Sequence, residues 1–165
     1  MRYKPMLAYP VSNKPIDYNK PTFIQPKLDG VRCVIQYDEE GEFGGNGVKA
    51  YSRTGKEWKN IDHILEQLRP FFMKFPNIIL DGELYNHDLR DNFEKIISLV
   101  RKTKPTDEDR LEASKKTQFH CYDIIDEAKT FEERSDFIKQ AVPKNHCVKN
   151  VKTLYVKIQK HKYIT

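Results

Sequence analysis

Four short stretches of this chain carry residue types that act on phosphate. In order they are Lys27-Leu28-Asp29-Gly30-Val31-Arg32, Ser52-Arg53-Thr54-Gly55-Lys56, Asp81-Gly82-Glu83-Leu84 and Phe119-His120-Cys121-Tyr122-Asp123. Each is common when taken alone. Lys27 before a turn glycine is either a surface residue or a nucleophile. To attack phosphorus it must lose its proton, and a free lysine of pKa near 10.4 is only about 0.04% neutral at pH 7. Desolvation or a neighbouring cation lowers that value; Arg32 is one candidate cation and a metal ion another. Gly30 permits close backbone approach, and Asp29 can orient donors in the loop.

Arg53 follows Lys27 by 26 residues. It is either a solvated strand-end arginine or a bidentate contact to phosphate or ribose, which a guanidinium makes better than an ammonium. Asp81 and Glu83, two apart at the end of an apolar run, share one face of a strand. Neighbouring carboxylates need a cation or donors, which favours a Mg²⁺ or ribose role. Tyr122 is ordinary sheet packing or, beside a nucleotide, a platform for the base. Together the set holds a lysine nucleophile, two arginines for phosphate and a carboxylate for metal or ribose. That inventory suits covalent transfer of a nucleotidyl group.

The elements that must position these residues read as α+β, antiparallel sheets flanked by helices. Pro10 to Pro21 is a proline-punctuated loop, and Phe23-Ile24-Gln25-Pro26 a short strand leading into Lys27. Val31, Cys33, Ile35 and Tyr37 alternate with Arg32 and Gln36, the pattern of a half-buried strand. Turn chemistry at Glu39-Glu40-Gly41 and Gly44-Gly45-Asn46-Gly47 precedes a strand near Val48 to Ser52. Ile61, Ile64, Leu65, Leu68, Phe71 and Phe72 fall at helical spacing, as do Phe93, Ile96, Ile97 and Val100. Residues 77 to 83 form a buried strand, and Lys102 to Lys116 reads as a charged loop. Gln118 to Ile125 is a strand with Phe119 and Cys121 on one face, His120 and Tyr122 on the other. Phe131 to Ala141 is a third helix, Cys147 to Leu154 a last strand, and a helix is expected to begin at Tyr155.

At 165 residues the chain suits one domain, 1–165. Hydrophobic residues at 38% and charged residues at 32% indicate a soluble globular class, and no apolar run approaches a bilayer span. The start has no signal-peptide core, so a cytoplasmic location is the expectation. The net charge of +5 suits a polyanionic partner without demanding one. Cys33, Cys121 and Cys147 are too widely spaced for a zinc site and read as reduced thiols. His63, His87, His146 and His161 form no ligand spacing, and neither a P-loop nor a G-x-G-x-x-G sequence occurs.

Taken together, the four stretches resemble motifs I, Ia, III and IIIa of the adenylation (nucleotidyltransferase) domain of ATP-dependent DNA ligases, of the compact virus or phage type. The opening Pro5-Met6-Leu7-Ala8 is similar to that family's lead-in. The resemblance implies an ATP-grasp-like fold and use of ATP with Mg²⁺ or Mn²⁺. It implies that Lys27 takes AMP from ATP, passes it to a 5′-phosphate at a nick in double-stranded DNA, and that a 3′-hydroxyl then displaces it. Gln25 matches the position at the adenine edge, with Pro26 beside it. Arg32 and Arg53 match nucleotide and 5′-phosphate contacts, Glu83 (with Asp81) the ribose or metal carboxylate, and Tyr122 the stacking aromatic. A monomer is expected, in the host cytoplasm for a virus or phage protein.

The family's later E-G-x-V motif, the K-x-K motif that follows it and its OB-fold domain are not in these residues. The resemblance therefore implies an adenylation domain that is C-terminally incomplete, with the remainder on the same or another chain. RNA ligase and GTP-dependent mRNA-capping guanylyltransferase share the K-x-D-G-x-R core, although Ser-Arg-Thr-Gly-Lys favours DNA ligase. A remnant that binds nucleotide or DNA without turnover is the alternative of a different class.

Overall fold

The computed structural model describes residues 5–17, 19–38 and 47–156. Its centre is a five-stranded sheet of β2 (Val31–Tyr37), β3 (Val48–Tyr51), β4 (Leu80–Tyr85), β5 (Gln118–Ile124) and β6 (Val148–Asn150), in the order β3-β2-β4-β5-β6. A separate ribbon pairs β1 (Thr22–Ile24) with β7 (Leu154–Val156). The pairings are antiparallel except β5 with β6, which run parallel. That exception follows from connectivity, because helix α4 (Phe131–Ala141) crosses between the two strands.

One sheet face is sealed by α1 (Asp62–Lys74), which buries Ile64, Leu65, Leu68, Phe71 and Phe72. Cys33, Ile35, Leu80, Leu84, Phe119 and Cys121 meet them from the strands. Phe119 and Cys121 are buried while His120 and Tyr122 lie partly open, as the alternation predicts. In β2 the alternation fails on one side, since Val34 and Gln36 are as buried as Cys33 and Ile35. Apolar periodicity reports which residues avoid water, but not what covers the opposite face.

Two further expectations are corrected. The charged segment read as a loop contains helix α3 (Asp107–Lys116). Thr106 and Asp109 form a reciprocal capping box, acids fill its first turn, and Lys115 and Lys116 close the last. Glu112 bonds both Lys116 at 2.8 Å and Lys95 at 2.6 Å, tying α3 to α2 (Phe93–Val100). Only Ala113 is buried, so no apolar stripe announced this helix. The single strand expected over Cys147 to Leu154 is two strands in different sheets, and Tyr155 lies in β7 rather than opening a helix. The turns at Glu39-Glu40-Gly41 and Gly44-Gly45-Asn46, and His161, lie outside the described residues. Among the described residues no helix is long and apolar enough to cross a membrane.

The strand that carries the acidic pair has one irregularity, a register shift between Asp81 and Gly82 in the β4–β5 ladder. A Cβ at Gly82 would fall on the carbonyl oxygen of His120 and lie 2.7 and 2.8 Å from the Phe119 ring. Both neighbours are fixed in the core, so neither can yield cheaply. Gly82→Ala is expected to cost about 1–3 kcal/mol, the usual range for overpacking. Urea denaturation checks this, and an unchanged midpoint would show that the strand tolerates a side chain there.

Candidate active site

Antiparallel register sets Arg32 of β2 opposite Glu83 of β4, with Asp81 two residues along. The Arg32 guanidinium closes on Asp81 as a fork, Nε donating to Oδ1 at 2.8 Å and Nη2 to Oδ2 at 2.6 Å. Its Nη1 also reaches the Met6 carbonyl at 3.4 Å, and Trp58 Nε1 donates to the Arg32 carbonyl at 3.3 Å. The guanidinium carbon lies 5.5 Å from the centre of the Tyr122 ring, within cation–π range. Tyr122 in turn donates from its hydroxyl to Glu83 Oε1 at 3.3 Å. Asp81, Arg32, Tyr122 and Glu83 thus form one connected polar network.

Its charges are strained by burial. Burial pushes the Glu83 carboxyl up to about 7, against the opposing pull of the Tyr122 hydrogen bond and Arg32. Burial raises Asp81 too, countered by Arg32, while the bond to Asp81 holds Arg32 still more firmly protonated. Tyr122 is pushed well above the ordinary phenol range by burial and then by both acids. His120, opposite Glu83 on β5, is lowered to about 4 by burial, Lys149 and His87.

The loop ahead of β2 brings Lys27 to this network. Gly30 makes that approach possible: a Cβ there would fall on the Leu84 carbonyl and sit 3.1 Å from Glu83 Oε2. The Gly30 amide lies near enough to the Glu83 carboxylate to favour its charged form weakly. Lys27, Asp29, Gly30, Arg32, Arg53 and Glu83 all line one open cavity of about 600 Å³. Arg53 is held there by its own turn, in which Ser52 N–H donates to the Lys56 carbonyl at 2.7 Å.

A second cavity, of about 370 Å³, lies on the other side of Arg32 and contains Gln25, Asp81 and Tyr122. Gln25 Nε2 donates to the Tyr122 carbonyl and to Thr153 Oγ1, both at 2.9 Å. A carbonyl only accepts, so this contact fixes the amide orientation, and both N–H groups are engaged. Pro26 is exposed between Gln25 and Lys27 and lines neither cavity.

Sequence reasoning missed Arg90 and Phe93, which line the Lys27 cavity, and Arg134, which lines the other. Arg90 is oriented by its own 3₁₀ turn, with Nη1 donating to the His87 carbonyl at 3.0 Å. Arg134 bonds Asp123 from Nε at 2.8 Å. Asp123 was the available signal for that pair, being a carboxylate at a strand end that needs a counter-charge. Arg90 sits in a short connector with no periodicity to flag it. Among the described residues no group of three or more His, Cys, Asp or Glu is arranged to hold a metal ion.

The family described as ATP dependent DNA ligase domain matches residues 5–162. No curated protein matches this chain significantly. A solved structure named Pmar-Lig_PreS3 superposes with a TM-score of 0.68 at 21% identity, over 92% of this chain and 35% of its own. Another, Pmar-Lig_Pre., gives 0.66 at 22% identity with the same coverage of 92% and 35%. A third, described as "DNA binding with a minimal scaffold: Structure-function analysis of Lig E DNA ligases", gives 0.64 at 18%, over 96% of this chain and 54% of its own. The chain thus spans about a third of the first two structures and about half of the third. At these identities the likeness establishes the fold.

The raised Glu83 carboxyl has a consequence for stability. The folded chain keeps a proton that the unfolded chain releases near pH 4.5, so stability falls as pH climbs from there through about 7. Glu83→Gln removes that titration. Its melting temperature relative to the native chain is expected to rise between pH 4.5 and 8; a constant offset across that range would contradict the assigned shift.

Proposed function

This chain belongs to the ATP-dependent DNA ligase domain family, and on that footing we propose that it carries the adenylation step of DNA strand joining, with Lys27 as the nucleophile. The deprotonated Nζ of Lys27 attacks the α-phosphorus of ATP. A nitrogen–phosphorus bond forms, the bond from the α-phosphorus to its bridging oxygen breaks, and pyrophosphate leaves. A 5′-phosphate oxygen at a nick then displaces the lysine and takes the AMP. The 3′-hydroxyl attacks that 5′-phosphate, AMP leaves, and the strand is joined. Such transfers depend mainly on positioning and charge neutralisation.

The observation that carries this reading is the gathering of Lys27, Arg32, Arg53 and Glu83 around one cavity. Arg53 and Arg90 supply positive charge for phosphates on the open side. Tyr122 offers its ring to the base from the adjoining cavity. The engaged N–H groups of Gln25 leave its carbonyl oxygen as the group offered to that base. Adenine presents an amino donor where guanine presents an oxygen acceptor. Two facing acceptors would cost about 1–3 kcal/mol, so the geometry favours ATP over GTP.

Mg²⁺ fits the site through Glu83 alone, since it commonly takes one or two carboxylates and completes its shell with phosphate and water. Bound there it would neutralise charge on the phosphates. Asp81 commits both oxygens to Arg32, so its part is to hold that guanidinium.

Incubation with Mg²⁺ and either ATP or GTP, followed by intact-mass measurement and peptide mapping, tests the proposal. The expected product is AMP on Lys27, absent in Lys27→Ala. GMP from GTP would contradict the role given to Gln25. No adduct in this chain, or in a longer form bearing the family's remaining motifs, would overturn the assignment of Lys27.

A further inference from the structure

Beyond the catalytic cavities, four lysines converge on a separate concavity of about 560 Å³ at the outer edge of the sheet. Lys139 comes from α4, Lys144 from the following loop, Lys149 from β6, and Lys152 from the segment after it. No carboxylate lines this groove, and among the described residues none of the four lysines is in an ion pair. Like charges gathered without counter-charges repel one another, a cost that a bound polyanion would remove. Its backbone is pinned: Asn145 N–H donates to the Val148 carbonyl at 2.9 Å, and Val151 N–H to the Cys121 carbonyl at 2.8 Å. The backbone positions from which Lys144, Lys149 and Lys152 extend are therefore preset.

The groove also connects to the site. Cross-strand register runs Arg32, Glu83, His120, Lys149 in one row across β2, β4, β5 and β6. At about 4.8 Å per strand this row covers about 14 Å, the length of about four nucleotide steps at 3.4 Å. Thr153, at the end of the groove, is the residue whose hydroxyl accepts from Gln25.

We propose that Lys139, Lys144, Lys149 and Lys152 form a binding track for the sugar–phosphate backbone of duplex DNA, continuing the path of the strand held at the catalytic cavity. Val151 is the sole apolar residue lining the groove, which offers no anchor for a peptide or an acyl chain. Lysines without base-reading partners give affinity without sequence preference. The proposal rests on the DNA-joining function above for its choice of polyanion.

The test is binding of this chain to an unnicked duplex as a function of salt, with three variants. Replacing all four lysines by Gln is expected to lower the slope of log K against log[salt] by between about 1 and about 3.6, at about 0.9 per lost phosphate contact. Lys144→Gln with Lys152→Gln should give an intermediate fall. Replacing Lys20, Lys74, Lys104 and Lys115, none of which lines the groove, should leave the slope nearly unchanged. An unaltered slope in the four-lysine groove variant would overturn the proposal, as would an equal fall in the control. AMP on Lys27 with an unaltered slope would remove the track and leave the adenylation reading standing. A lowered slope without any adduct would do the reverse.

Discussion

Two carboxylates on the central strand and a single guanidinium between them set the terms for this structure. Asp81 and Glu83 both approach Arg32 from β4, yet only Asp81 takes the bidentate bond, at 2.6 and 2.8 Å. The Asp81 side chain is 10% exposed and that of Arg32 26%, so the pair lies between surface and core behaviour. Surface pairs contribute about 0–1 kcal/mol, whereas removing one partner of a buried pair costs about 3–5 kcal/mol. Loss of Arg32 would leave two acids facing each other in a poorly solvated sheet, which points to the upper part of that span.

The same arrangement divides the labour of the site. Arg32 lines both cavities, one containing Lys27 and Arg53, the other Gln25 and Tyr122. Its guanidinium lies 5.5 Å from the centre of the tyrosine ring that the base would use, and it lines the cavity that phosphates would enter. Glu83, left with weaker partners and a pKa of about 7, is the group most ready to gain a cation. A nucleotide bound across both cavities would bring its phosphates toward Arg53 and Arg90, and any metal toward Glu83. Gly30 and Gly82 serve this geometry by letting backbone lie where side chains would otherwise intrude.

Part of this was legible in the sequence because alternation along β2, β4 and β5 decides which residues share a face. Lys27, Arg32, Arg53 and Glu83 line one cavity, and the faces of Phe119 and Tyr122 followed from alternation. Pairing was not legible. Nothing in Asp81-Gly82-Glu83 says that one acid closes on an arginine 49 residues earlier while its neighbour takes a tyrosine hydroxyl. Helix α3 escaped because caps and ion pairs, not an apolar stripe, define it. The break between β6 and β7 escaped because both read as extended chain, and only the partner strands distinguish them. Arg90 and Arg134 come from connectors and helix surfaces, where one charged residue looks like any other.

If Asp81 acts through Arg32, and Arg32 joins the two cavities into one nucleotide site, the two residues must be coupled in binding. Calorimetric titration of ATP into the native chain, Arg32→Gln, Asp81→Asn and the double variant measures that coupling. Each single change should weaken binding and the double should be little worse than Arg32→Gln alone, because the aspartate has nothing left to position. Additive losses, or full affinity in Asp81→Asn, would contradict it.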